Sequence, residues 1–165
     1  MQILSQQQIN NKIKRLAIEI LEHNLDAKRL IFLGINNNGY GFAELLIKAM
    51  PNKSNDITLS RIHLNPADPL DSPIRIEGVE VKDLKNSNIV IVDDVANTGR
   101  TLFYALKPIM DILPAKVQIA VLVDRKHKSF PIVPDYVGLS LATTMRENIE
   151  VHISKKKKQA VYLRD

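Results

Sequence analysis

Three stretches of this sequence are apolar with almost no interruption: LIFLGI (Leu30–Ile35), IVIV (Ile89–Val92) and VQIAVLV (Val117–Val123). A strand with one wet face alternates apolar and polar residues, whereas short continuous runs belong to strands covered on both faces. The first run is followed by NNNGYG, read as a loop, and by FAELLIKAM, read as a helix stopped by Pro51. The second leads into TLFYALKPIMDIL, a helical pattern with a kink expected at Pro108. This rhythm predicts an α/β fold with a mostly parallel central sheet flanked by helices. In such sheets ligands sit beyond the carboxyl ends of the strands. The loops after Ile35 and after Asp94 therefore face one shared crevice.

The remaining segments fit around that sheet. Ser5 with Gln8 three residues on reads as a capping box, with Leu4 and Ile9 as its hydrophobic staple. Ile9, Ile13, Leu16, Ala17, Ile20 and Leu21 then repeat at helical spacing as far as His23 and Asn24. DITLSRIHL reads as a strand, and NPADPLDSP (Asn65–Pro73), with three prolines, as a mobile loop. IRIEGVEV reads as a short strand or hairpin. DYVGLSL, NIEVHI and AVYLR read as later strands, the last two joined by a hairpin whose tip is the lysine run Lys155–Lys158. Without a repeat or linker, the 165 residues are expected to form a single domain, 1–165.

Composition narrows the function classes. There is no cysteine, which excludes a disulfide scaffold and a thiolate metal site. His23, His63, His127 and His152 are scattered, with no metal-binding spacing. No apolar run approaches the roughly 20 residues that span a bilayer, and the N-terminus lacks a signal-peptide pattern, so a cytoplasmic chain away from membranes is expected. The net charge of +5 favours anionic partners.

The second apolar run ends in Asp93-Asp94, followed by Val95-Ala96-Asn97-Thr98-Gly99-Arg100-Thr101. A glycine turn entering a helix exposes backbone N–H groups to an anion, and Thr98 and Thr101 add hydroxyl donors. The loop lacks the spacing of a Walker A or dinucleotide fingerprint, so it suits a single phosphate. Two adjacent carboxylates repel a bare diphosphate but accept hydrogen bonds from sugar hydroxyls. Together these features describe a site for a ribose 5-phosphate.

VIVDDVANTGRT resembles the phosphoribosyl-pyrophosphate (PRPP) signature of type I phosphoribosyltransferases. From about Ile3 to Ile153, through SQQQINNKIKRLAIEILEHN, DITLSRIHL and VQIAVLVDRKHKSFPIVPDYVG, the chain is similar to the pyrimidine operon attenuator/uracil phosphoribosyltransferase family. The resemblance implies a small hood and a mobile loop, Asn65–Pro73, that closes over PRPP. It implies transfer of ribose 5-phosphate from PRPP to a nucleobase, with uracil as the expected base, and release of pyrophosphate. Asp93 and Asp94 would hold the ribose hydroxyls and stabilise an oxocarbenium-like transition state. Ala96, Asn97, Thr98, Gly99, Arg100 and Thr101 would bind the 5-phosphate. Ile35, Asn36, Asn37, Asn38, Gly39 and Arg61 would meet pyrophosphate; Asp124, Arg125 and Ile149 the base. Mg²⁺ would bridge substrate oxygens, needing few protein ligands.

Two segments depart from the family pattern. Where family members carry basic residues, as in GIKTRG, this chain has GINNNG, and LYRDDL is replaced by LSRIHL. Loss of charge-assisted contacts to pyrophosphate leaves an alternative: a nucleotide-responsive, RNA-binding regulator of transcription attenuation with weak or no transferase activity. The family binds RNA on a basic face of a dimer, so RNA and a homo-oligomer are further expected partners.

Overall fold

The structure, a computed structural model, describes residues 1–51, 56–142, 144, 147–153 and 159–164. Its central sheet contains β2 (Arg29–Ile35), β3 (Asp56–His63), β4 (Arg75–Ile76), β5 (Asn88–Ala96), β6 (Lys116–Arg125) and β7 (Tyr136–Leu141), in the order β4-β3-β2-β5-β6-β7. Five strands run parallel, and the short edge strand β4 is antiparallel to β3. A second, antiparallel sheet joins β1 (Gln2–Leu4), β8 (Asn148–His152) and β9 (Ala160–Arg164) in the order β1-β9-β8. This is the hood.

The apolar runs do not alternate because both faces of the sheet are covered. Phe32, Val90, Val92 and Leu122 pack on one face with Leu16 and Ile20 of α1 (Gln6–Glu22) and with Phe42 and Leu46 of α2 (Asn36–Ala49). Ile31, Leu33, Ile89, Ile91 and Val121 point the other way, against Leu102 and Ala105 of α3 (Arg100–Ala105). Fully burying one such side chain contributes about 1.5–3 kcal/mol. Helix α1 starts as its sequence predicts, with the reciprocal Ser5–Gln8 capping box formed and all six periodic apolar residues buried.

Four details depart from the sequence reading. The three asparagines are not a loop but the first turn of α2, which begins directly where β2 ends. Asn and Gly are poor helix formers, but packing overrides propensity here: a Cβ on Gly39 would stand 2.3 Å from the Val92 carbonyl oxygen, so the missing side chain lets the helix lie against β5. The TGRT helix is shorter than expected. It ends after Ala105 and continues as a 3-10 turn, Lys107–Ile109, because Pro108 has no N–H for an α-helical bond. IRIEGVEV supplies only the two residues of β4, and a 3-10 turn follows at Val81–Leu84. Gln2–Leu4 forms β1, paired with β9 at the far end of the chain. The expected hairpin tip, Lys155–Lys158, lies outside the described residues. Among those described, no helix is long and apolar enough to cross a membrane.

Candidate active site

The carboxyl ends of β2 and β5 open into a crevice of about 390 Å³. Ile35, Asn36, Asn37 and Asn38 form one wall, and Asp93, Asp94 and Val95 the facing one. Asn97 and Thr101 close one end, Pro66 comes from the loop after β3, and Ile149 reaches in from β8 of the hood. A narrower recess adjoins it, lined by Asp93, Val95 and residues 96–102. Asp93, Val95, Asn97 and Thr101 belong to both cavities.

The recess is a backbone cradle. Gly99 has φ 85°, in the left-handed region that favours glycine, and turns the chain into α3. The Thr98 carbonyl accepts hydrogen bonds from the N–H groups of Ser129 (2.9 Å) and Phe130 (3.1 Å), which fix the turn from outside. Ala96 is buried at its base. Arg100 also lines the recess, and its Nη2 donates to the carbonyls of Pro66 (2.6 Å) and Ala67 (3.3 Å).

The paired acids have different environments. Asp93 is 9% exposed and accepts the Asp94 N–H at 2.9 Å. Burial pushes its carboxyl well above the usual range, and the neighbouring charge of Asp94 pushes the same way. Asp94 is half-buried; Oδ1 accepts the Val95 N–H and Oδ2 the Asn38 Nδ2, each at 2.9 Å. One carboxyl therefore favours keeping a proton, while its neighbour sits among donors at the crevice.

The asparagines have separate tasks. Asn36 stands at φ 50° and grips the backbone of Leu64 with both side-chain atoms, donating to its carbonyl (2.9 Å) and accepting its N–H (3.1 Å). Asn38 reaches Asp94, whereas Asn37 is exposed to the crevice. Gly39 is buried behind this wall. Arg61 does not line the crevice: its guanidinium lies 4.2 Å from the centre of the Tyr40 ring. Among the described residues, no lysine, arginine or histidine lines the crevice itself.

On the hood side, Arg125 donates to Asn97 Oδ1 (3.1 Å) and to the Thr144 carbonyl (3.0 Å), joining the cradle to the chain leading into β8. Asp124 is buried, and its carboxylate is taken by Lys126 and Lys128. Of the three candidate base contacts, Ile149 alone lines the crevice; Arg125 flanks a neighbouring cavity beside Asn97 and Thr98. Pro66 comes from the loop expected to close over the site, whereas sequence reading missed Val95 as a lining residue and the grips of Asn36 and Arg100 on that loop.

Comparison with known proteins follows the same lines. The profile of the phosphoribosyl transferase domain matches residues 1–155. The Bifunctional protein PyrR of Limosilactobacillus reuteri is 32% identical over 164 residues, which cover 93% of this chain and 92% of that one. That of Deinococcus radiodurans is 36% identical over 162 residues, 93% and 87% of the two chains. Among solved structures, a hypoxanthine-guanine phosphoribosyltransferase from Bacillus anthracis superimposes with a TM-score of 0.71 at 21% identity, covering 86% and 82%. A hypoxanthine-guanine-xanthine phosphoribosyltransferase reaches 0.73 at 17%, covering 98% and 92%; at these identities the likeness is one of fold.

Proposed function

We propose that this chain, which belongs to the phosphoribosyl transferase domain family, transfers ribose 5-phosphate from PRPP to uracil, releasing pyrophosphate and forming UMP. The observation that carries the reading is the juxtaposition of a phosphate-sized cradle at residues 96–102 with a larger crevice walled by Asp93 and Asp94. The 5-phosphate takes the recess, held by backbone N–H groups and the hydroxyls of Thr98 and Thr101. The ribose lies across Asp93 and Asp94, which accept its hydroxyls, and the Asp94 carboxylate stabilises positive charge developing at C1. Pyrophosphate leaves toward Asn36–Asn38. There α2 begins without a side-chain cap, so first-turn N–H groups and the Asn37 amide supply neutral donors.

The donor set suits Mg²⁺ carried in by the substrate: two adjacent carboxylates border the crevice, and a hydrated ion shared with phosphate oxygens needs one or two such ligands. An ion held there would supply positive charge against the pyrophosphate. The base fits under the hood at Ile149, against a wall that Arg125 holds between Asn97 and Thr144. Asp124 shapes that wall through its two lysines.

A transferase assay with Mg-PRPP and a panel of bases tests this. Pyrophosphate release is expected with uracil above the other bases; release with no base above background refutes the transferase. One observation favours a second reading, a nucleotide-responsive RNA-binding regulator with weak turnover: among the described residues the crevice has no basic lining, and Asn38 is engaged by Asp94. A filter-binding titration of structured leader RNA with and without UMP distinguishes it, since equal affinity for any RNA, lost at moderate salt, is non-specific attraction.

A further inference from the structure

The loop after β3 lies against the protein beside the crevice. Its base is gripped from both walls. From the β2 side, Asn36 pairs with both backbone groups of Leu64 at 2.9 and 3.1 Å, extending the strand by a side chain. From the cradle side, Arg100 donates to the carbonyls of Pro66 and Ala67 at 2.6 and 3.3 Å. Pro66 is itself part of the crevice wall. Beyond the grips the loop closes on itself: Asn65 donates to Asp71 at 2.6 Å and accepts the Ala67 N–H at 3.0 Å, and the Asp71 N–H returns to the Asp68 carbonyl. Pro69, mid-loop, is buried.

Arg100 stands in the TGRT turn beside the recess. Its guanidinium is taken by two neutral carbonyl oxygens of the loop after β3. A charged donor on backbone acceptors forms a stronger bond than a neutral pair and costs more to break. It is also indifferent to the loop's side chains, so it specifies where the loop sits rather than what it contains.

We infer that Arg100 and Asn36 are positioning residues that latch the base of the loop after β3 at the edge of the crevice. The latch itself does not depend on which reaction the crevice performs; its catalytic consequence rests on the transferase reading. With PRPP bound, the latched loop keeps water from C1. Where water enters, its oxygen bonds to C1 as the bond from C1 to the pyrophosphate oxygen breaks, a proton passes to solvent, and ribose 5-phosphate and pyrophosphate result without transfer.

Hydrogen–deuterium exchange of the ligand-free, full-length protein tests the latch. In Arg100→Gln, amides of residues 64–72 are expected to exchange about tenfold faster than wild type, the scale of one charge-assisted hydrogen bond, with β5 peptides unchanged. Arg100→Lys, keeping the charge but reaching fewer acceptors, is expected to fall between. Asn36→Gly tolerates the positive φ, removes the amide and is expected to free Leu64. Loop exchange within twofold of wild type in Arg100→Gln overturns the latch, as does a rise shared equally by β5. A second readout separates positioning from structure: the ratio of base-independent PRPP hydrolysis to transfer is expected to rise in Arg100→Gln and return toward wild type in Arg100→Lys. Absence of pyrophosphate release from the wild type, with the exchange pattern as expected, refutes the transferase and leaves the latch standing.

Discussion

Alanine placed at Gly39 and at Gly41, two residues apart on α2, should change stability in opposite directions. A Cβ at position 39 stands 2.3 Å from the Val92 carbonyl oxygen and 3.3 Å from Asp93 Cα. Relaxed carbon–oxygen contacts begin near about 3.3 Å, so the start of α2 must withdraw from β5 by about 1 Å. The obstructing atoms are backbone and cannot rotate aside. Overpacking of this kind costs up to about 3 kcal/mol, offset by about 1 kcal/mol from the better helix propensity of alanine. The net loss is about 2 kcal/mol, or about 4–8 °C in Tm for a chain of this length. A Cβ at Gly41 meets nothing within 4 Å. There the propensity gain stands alone, raising Tm by about 2–4 °C. The same withdrawal lengthens the 2.9 Å bond from Asn38 to Asp94 beyond hydrogen-bonding reach, so Gly39→Ala should also weaken binding of ribose 5-phosphate. Calorimetric melting of the two variants, with titration of ribose 5-phosphate, decides the matter. Equal Tm shifts of the same sign would show that α2 does not depend on the close approach at Gly39.

Asp94→Asn should lower transferase kcat by about a hundredfold, the scale of losing one electrostatic contact to the transition state, with Tm within a few degrees of wild type; normal turnover would remove Asp94 from the ribose site. Asp93→Asn should stabilise the protein at neutral pH. The native pKa of Asp93 is raised by burial and by Asp94, so the stability its neutral form provides is full below the unfolded carboxylate pKa of about 3.9 and is lost as pH rises through the raised value. The advantage of the asparagine should therefore close as pH falls toward 4 in urea melts, and an advantage constant with pH would refute the cause assigned. Asn24→Ala, at the opposite end of the sheet, removes a fully buried amide that bonds the Ile20 carbonyl, Gln118 and Asn88. A loss of about 2–4 kcal/mol is expected in urea unfolding, and less than about 1 kcal/mol would mean the network repairs itself.

Particular residues show why parts of this protein were legible in its sequence. Ile89–Val92 with Leu30–Ile35 announced a sheet covered on both faces, because continuous burial leaves a mark on every residue of a strand. The ribose phosphate half of the site, Asp93 to Thr101, was legible because its parts are contiguous and a short turn sets their geometry. The Ser5–Gln8 box was legible for the same reason. The facing wall was not. Asn36 finds its partner 28 residues away, Arg100 finds Pro66 at 34, and Asn38 finds Asp94 at 56. Asparagine and arginine carry no address for such partners: an amide bonds any backbone group that packing delivers, and a guanidinium any exposed carbonyl. Likewise Arg61, whose charge suggested an anion, stacks on Tyr40 because neighbouring elements bring the ring there. The sequence by itself determined the sheet, the strand that carries the acids and the phosphate turn. Only the tertiary structure decided that the asparagines begin a helix, that one of them holds an aspartate, and that Arg100 serves the loop above the crevice, since each depends on where separately folded segments meet.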